Sequence, residues 1–363
     1  MKILMTADTV GGVWQYALSL CGALANWGVE IVLATMGEAL TPAQRSAVGR
    51  LPNVIVAESH FRLEWMAGAD SDVAESGEWL AALAQRHQVE LVHVNGYAHA
   101  AIDFGAPTLM VAHSDVLSWF RAVRKENAPA EWNVYGRRVR EALARAACVV
   151  APTDVVRGDL IRHFGRMAGP SLVIPNGIAL DRYQPGAKRQ VVLSVGRLWD
   201  QAKNIVQLDR IAPRVRWPIE VGGEVRDPDG GGAQGFANVI QLGVLPRPAL
   251  EKRLAEAAIY AAPALYEPFG LAILEAAASG CALVLGDIPS LREIWEDAAI
   301  YVTPGDDDGL VAILNALIAA PAKRAAMAER ARLRAGAFGI DRMAAQYAQL
   351  YLSLTRRSVL ASA

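Results

Sequence analysis

The sequence predicts an α/β fold in two domains, each a doubly wound parallel sheet of Rossmann type. Apolar runs of strand length alternate with helical stretches through KILMTA, EIVLAT, ELVHV, PTLMVA, CVVAP and SLVIP. The alternation then restarts with VVLSVG, PIEVGG, NVIQLG, AIYAAP, ALVLG and AIYVT. Between the two series lies IPNGIALDRYQPGAKR, whose Pro, Gly, Asn and charged residues suit a linker. A chain of 363 residues is also longer than one hydrophobic core usually fills. The expected segments are 1–178, 179–338 and a last piece, 339–363. That piece follows a break at Gly339 and carries Met343, Tyr347, Leu350, Tyr351 and Leu354 at helical spacing, so it suits a helix capping either domain. The first helix is expected from about Trp14.

Bulk properties exclude several classes. The 36 Lys and Arg balance 37 Asp and Glu with no run of like charge, which argues against a nucleic-acid protein held by long-range attraction. Hydrophobic residues make up 53% of the chain, mostly Ala, Val and Leu, as expected for parallel strands covered on both faces. Cys21, Cys148 and Cys281 are scattered among apolar residues and odd in number, the pattern of a reducing compartment. The apolar run before Asp8 is too short for a signal-peptide core and no segment has the length to span a bilayer, so a cytoplasmic protein is expected.

Candidate chemistry gathers at strand-to-helix turns. Gly11 and Gly12 follow the first strand, where they let backbone amides approach anionic oxygen, though a tight connection alone would explain them. Their spacing does not match GxGxxG, and GK[ST] is absent from the sequence. VVLSVGRLWDQAKN places Arg197 and Lys203 on one loop at the carboxyl edge of the second sheet, where open α/β sheets bind ligands and two cations can meet a diphosphate. In EPFGLAILEAAASG, Pro268 disfavours helical geometry at Glu267, so this acid stays on a loop while the helix begins at Phe269 or Gly270. The amides of Phe269, Gly270 and Leu271 are then free first-turn donors. Glu275 sits among Leu, Ile and Ala and needs donors, which ribose hydroxyls would supply. An ideal helix rises about 12 Å between the two acids, the reach from a sugar across a diphosphate to a ribose.

As a set, EPFGLAILE, GRLWDQAK, GGV and IPNGI resemble the E-x7-E element, the Arg/Lys loop, the first-turn glycines and the interdomain stretch of the retaining glycosyltransferases of family 4. The resemblance covers nearly the whole chain. It implies the GT-B fold, two Rossmann-like domains facing across a cleft, with 1–178 binding the acceptor, 179–338 binding a nucleotide sugar and the last helix crossing back to the first domain. It implies that Arg197 and Lys203 neutralise the donor's diphosphate with help from the Gly12 amide. Glu275 would bind the ribose. Glu267 would contact the transferred sugar together with the backbone at Phe269, Gly270 and Leu271, and His113, in LMVAHSD, would stand near the sugar's outer hydroxyl and anomeric carbon. Donor base and sugar are expected to be read by backbone and variable loops such as GVLPRP, which begins at Gly243. Charge developing on the diphosphate would meet fixed cations and helix-start dipoles, so no metal or other cofactor is expected.

Other features are weaker. Asp227 with Asp229 and Asp306 to Asp308 read as solvated turns rather than metal ligands. His87, His93 and His99 share no helical face and read as structural, although Asn95, Gly96 and His99 follow a strand end and are candidates for acceptor contact. From Trp119 to Arg145, Arg121, Arg124, Lys125 and further arginines mix with Phe120 and Trp132; an anionic acceptor, a membrane surface at the inner face and a plain solvated helix face all suit the pattern. The expected activity is sugar transfer from a nucleotide sugar to an acceptor hydroxyl. The rivals are a glycoside phosphorylase or nucleotide-sugar epimerase on the same architecture, and a silent scaffold, which the presence of both cations and both acids disfavours.

Overall fold

The computed structural model describes residues 1–66, 68–227, 230 and 235–362, the last six of these as backbone. Asp229, Gly231 and Gly232 lie outside the described residues. The chain divides into two compact units: residues 1–120, 126–177 and 340–363 form unit 1, and residues 178–339 with 121–125 form unit 2.

Unit 1 holds β1 (Lys2–Asp8), β2 (Glu30–Met36), β3 (Val54–Glu58), β4 (Leu91–Val94), β5 (Thr108–Val111), β6 (Cys148–Ala151) and β7 (Ser171–Val173). They make one seven-stranded sheet in the order β3-β2-β1-β4-β5-β6-β7. Every pairing is parallel. Alternate residues feed opposite faces, so Leu4, Val32, Val92 and Met110 join a core beneath the helices Asp70–His87, Asn133–Arg145 and Asp154–Phe164. The helix Gly12–Leu24 packs with the terminal helix Ile340–Ser362. Chain direction across the sheet reverses between β1 and β4, and Met5 pairs with His93 there. A crevice lies at the carboxyl ends of these two strands, lined by Thr6, Asp8, Val94 and Asn95 among others, as expected at a switch point.

Unit 2 repeats the plan with β8 (Arg189–Val195), β9 (Ile219–Gly222), β10 (Ile240–Gln241), β11 (Ala257–Ala262), β12 (Ala282–Gly286) and β13 (Ile300–Val302), in the order β10-β9-β8-β11-β12-β13. Leu193, Tyr260, Leu283 and Leu285 face one core, and Val192, Ile259, Ala282 and Val284 face the other. This strict alternation with both faces buried is what a doubly wound sheet requires. Its switch point lies between β8 and β11.

Several expectations need adjustment. β3 escaped the reading of apolar runs because it is an edge strand whose Ile55 is 50% exposed, so its pattern is not that of a strand buried on both faces. The first helix starts at Gly12, ahead of Trp14, and the terminal helix runs on to Ser362. The Asp306 to Asp308 run is not a solvated turn. Asp306 caps the helix Asp307–Ala319 by accepting from the Gly309 amide at 2.9 Å, while Asp307 and Asp308 pair with Arg210 and Arg214. Among the described residues no single helix is long and apolar enough to cross a membrane; the helices Asp307–Ala319 and Pro321–Ala335 pass that test only as a pair, bent by 104°.

Candidate active site

Unit 2 brings its predicted cations and the first acid together. Arg197 and Lys203 follow β8, and Glu267 follows β11, so both loops leave the sheet at its switch point. Lys203 Nζ lies 2.5 Å from Glu267 Oε2, with both side chains mostly buried. Arg197 pairs with Asp200 at 2.7 Å, and among the described residues its buried Nε has no acceptor. Asp200 also caps the turn Gln201–Lys203 by accepting from the Ala202 amide at 2.9 Å. Burial alone would raise the Asp200 carboxyl, but the charges of Arg197 and Lys203 and these hydrogen bonds outweigh it and hold its pKa down. The two loops are laced together: the Leu265 amide donates to Ala202 O at 2.8 Å, and Asn204 Nδ2 donates to Pro263 O at 3.0 Å.

The helix after Glu267 begins at Leu271, one residue later than expected, with Gly270 as its N-cap at φ 90°. A side chain there would be strained, and a Cβ would lie 2.8 Å from Ile273 Cδ1. Phe269 turns its ring inward against Phe338, 5.7 Å between centroids, which leaves its backbone to line the loop. Ser290 donates to Glu267 O at 2.6 Å and fixes the acid's own backbone. The neighbouring loops converge tightly: Gly223 donates to Gly243 O at 2.9 Å, and a Cβ on Gly223 would lie 1.7 Å from Gly196 O, so only glycine fits.

Glu275 is 4% exposed, and its donors come from the protein itself. Oε1 accepts from Arg247 at 2.7 Å and from the Tyr183 hydroxyl at 2.9 Å. Ribose hydroxyls are therefore not needed to satisfy this carboxylate, which corrects the premise drawn from its apolar neighbours. Burial still pushes its pKa up, with the Arg247 charge opposing. Arg247 stacks over the Tyr183 ring at 5.4 Å and opens the helix Arg247–Glu256.

Unit 1 assembles a different kind of site. Asn95, just past β4, joins His93 and His113: Asn95 Oδ1 lies 3.2 Å from His93 Nε2 and 2.9 Å from His113 Nε2. The Tyr16 ring packs edge-on against His113 at 4.5 Å. Burial lowers His93 to about 3 and His113 to about 4. Gly11, at φ 75°, caps the helix Gly12–Leu24, and both glycines are exposed. His99 is turned away from this group: its Nε2 lies 2.8 Å from Ser76 Oγ, and burial lowers it to about 4. Trp119 packs on Phe120 at 5.3 Å, and Arg121 is exposed. Within the basic stretch, Arg138 pairs with Asp70 at 2.6 Å and Arg145 donates to Ala101 O at 3.1 Å, so part of that charge is used internally.

Sequence reasoning passed over Asp200, Arg247, Tyr183 and Glu64. Asp200 had a local signal, an acid just before QAK at a turn. Tyr183 sits in the presumed linker, 92 positions from Glu275, and no local pattern reports such a contact. Glu64 is half-buried and accepts from the Tyr97 and Ala98 amides at 2.8 and 2.7 Å, which fixes the loop after β4. Burial raises its pKa while those amides and Arg138 oppose.

Comparison with known proteins agrees with this architecture. The family model described as Glycosyltransferase Family 4 matches residues 10–182, and that described as Glycosyl transferases group 1 matches residues 233–334. The chain is 27% identical to alpha-maltose-1-phosphate synthase of Mycobacterium tuberculosis over 294 aligned positions, 70% of this chain and 72% of the relative. It is 27% identical to D-inositol 3-phosphate glycosyltransferase of Xylanimonas cellulosilytica over 394 aligned positions, 96% and 93% of the two chains. Among solved structures, sucrose-phosphate synthase from Thermosynechococcus elongatus superposes with a TM-score of 0.80 at 20% identity over the whole of both chains. Anabaena HepE in complex with UDP and glucose gives 0.76 at 19% identity, covering 98% and 100%. Matched models, relatives and fold define a glycosyl-transferring enzyme on the GT-B architecture. The chain belongs to glycosyltransferase family 4, group 1.

Proposed function

We propose that the protein transfers a sugar from a nucleoside diphosphate sugar to an acceptor hydroxyl, with retention at the anomeric carbon and without a metal. The observation that carries this reading is the Lys203–Glu267 pair beside Arg197 at the switch point of unit 2. Cleaving a sugar–phosphate bond leaves negative charge on the diphosphate and positive charge on the ring. Arg197 and Lys203 are cations already fixed in place, Arg197 by Asp200 and Lys203 by Glu267, so they stabilise the leaving group with little reorganisation. The ammonium of Lys203 has three donors, and Glu267 uses one of them. Free amides at the start of the helix Leu271–Ala278 favour the same charge. Glu267 then takes a hydroxyl of the transferred sugar, and Glu275, oriented by Arg247 and Tyr183, takes the ribose.

One fold neighbour, Anabaena HepE, is solved both with UDP and glucose and with UDP-glucose, which makes uridine donors the first to try. The test is incubation with a panel of UDP-, GDP- and ADP-sugars and candidate acceptors. Expected are acceptor-dependent release of one nucleoside diphosphate, an α-to-α product by NMR, an unchanged rate in EDTA, and loss of turnover in Arg197→Ala and Glu267→Ala. Turnover that requires free phosphate instead of an acceptor hydroxyl, or an inverted product, contradicts the reading.

A further inference from the structure

The group around Asn95 fixes its own hydrogen positions. Asn95 Nδ2 lies 2.7 Å from the Thr6 carbonyl oxygen, which can only accept, so the amide is oriented with nitrogen toward β1 and Oδ1 toward the two histidines. The Asn95 backbone amide donates to Thr6 Oγ1 at 2.8 Å and anchors the same residue a second time. Oδ1 has lone pairs and no proton. It faces His93 Nε2 at 3.2 Å and His113 Nε2 at 2.9 Å, so each of these nitrogens must carry the proton and donate. The other nitrogen of a neutral His93 is then an acceptor, and Tyr351 of the terminal helix donates its hydroxyl proton to His93 Nδ1 at 2.7 Å. For His113 the same assignment leaves Nδ1 with a bare lone pair. Among the described residues Nδ1 has no donor, and His113 as a residue is partly exposed.

We infer that Asn95 is a positioning residue that locks His113 in its Nε2–H form, presenting the Nδ1 lone pair as a hydrogen-bond acceptor toward a substrate hydroxyl. The chain of bonds from Tyr351 through His93 and Asn95 to His113 ties the terminal helix to this choice. A free imidazole exchanges its proton between both nitrogens, and only one arrangement can accept from a hydroxyl at Nδ1. The titratable groups packed on the two rings are Tyr16, Tyr347 and Tyr351, with Cys21 near Tyr16 and Tyr351. Burial raises all four above their usual ranges, so none is charged at neutral pH. Hydrogen bonding through Asn95 rather than a neighbouring charge therefore selects the tautomer. The use made of His113 rests on the proposed sugar transfer, whereas the lock does not.

The test is long-range proton–nitrogen NMR on the full chain with 15N-labelled histidine, the His113 signal being identified by its loss in His113→Gln. At neutral pH the wild type is expected to show one protonated ε nitrogen and one bare δ nitrogen at both His93 and His113. Asn95→Ala is expected to move His113 toward a tautomer mixture and to lower kcat by about 10- to 100-fold with donor KM nearly unchanged. Asn95→Asp keeps an acceptor for both rings but sets its second carboxyl oxygen against the Thr6 carbonyl, a clash relieved when that oxygen is protonated, so it is expected to keep the Nε2–H tautomer at His113. A bare ε nitrogen or a tautomer mixture at His113 in the wild type overturns the inference. So does an unchanged His113 spectrum in Asn95→Ala. If Asn95→Ala does not fold, the wild-type spectrum decides by itself. Because the spectrum needs no substrate, failure of the lock is distinguishable from failure of sugar transfer, which would appear as no turnover with any nucleotide sugar.

Discussion

At the carboxyl edge of the sheet in unit 2, charged side chains are paired at short range: Lys203 with Glu267, Arg197 with Asp200, and Arg247 with Glu275. At the same edge in unit 1 the functional candidates are neutral, with His93, Asn95 and His113 sharing one carbonyl oxygen under the ring of Tyr16. Both edges are switch points of doubly wound sheets, so the scaffold does not dictate the difference. The chemistry proposed for each accounts for it. A site for diphosphate needs fixed positive charge, and acids hold the cations in place before a ligand arrives. A site that orients sugar hydroxyls needs directed donors and acceptors, which burial and hydrogen bonding supply without net charge.

The sharpest way to break this contrast is to remove a cation. Lys203→Ala deletes one fixed positive charge and leaves Glu267 without its partner, so turnover is expected to fall by about 10²- to 10³-fold. Steady-state release of nucleoside diphosphate measures it; a loss below threefold would mean that charge at this edge is structural. Arg247→Ala comes next. It strips Glu275 of its ionic partner inside the protein, and urea denaturation is expected to show a loss of about 3 kcal/mol, as for other buried pairs broken from one side. Replacing both residues by Leu should restore much of that stability while leaving nucleotide binding weak; recovery of binding as well would remove Glu275 from the site.

Acid should weaken unit 1 through its histidines, an effect that the raised Glu64 and Asp115 of the same unit oppose. His93, His99 and His113 are depressed from 6.5 to about 3, 4 and 4, so the stability they contribute is complete above pH 6.5 and is lost as pH falls toward 4. For His99 alone the full effect is on the order of 3 kcal/mol. In unit 2 the depressed Asp200 loses its contribution only below the ordinary carboxylate range, and the raised Glu275 is relieved of a burial cost as it protonates. Hydrogen exchange between pH 6.5 and 4 is therefore expected to open unit 1 first; opening of unit 2 first would reverse the assignment. The smallest effect is expected from Asp308→Asn, which breaks an exposed pair with Arg214 and should leave the melting temperature nearly unchanged.

The alternation of strands and helices, the restart after the linker and the loop positions of Arg197, Lys203 and Glu267 were legible because each depends on residues close in sequence. Pro268 fixed Glu267 outside the helix by a purely local clash. What local patterns do not carry is partnership. Tyr351 and His93 are 258 positions apart, and nothing near either announces the bond. Glu275 illustrates the same limit, since its apolar neighbours announced that donors were needed but not that Arg247 and Tyr183 supply them. The acids at 306–308 were misread for a related reason: a helix cap resembles a turn until its ion-pair partners on another helix are known.

The measurement that bears most directly on the charged edge of unit 2 is calorimetric titration of UDP, GDP and ADP into the wild type and Lys203→Ala. One nucleotide is expected to bind the wild type and to bind Lys203→Ala at least about tenfold more weakly, corresponding to about 1.4 kcal/mol. Equal affinity in both proteins, or no binding of any of the three, would contradict the assignment of Arg197 and Lys203 to a diphosphate.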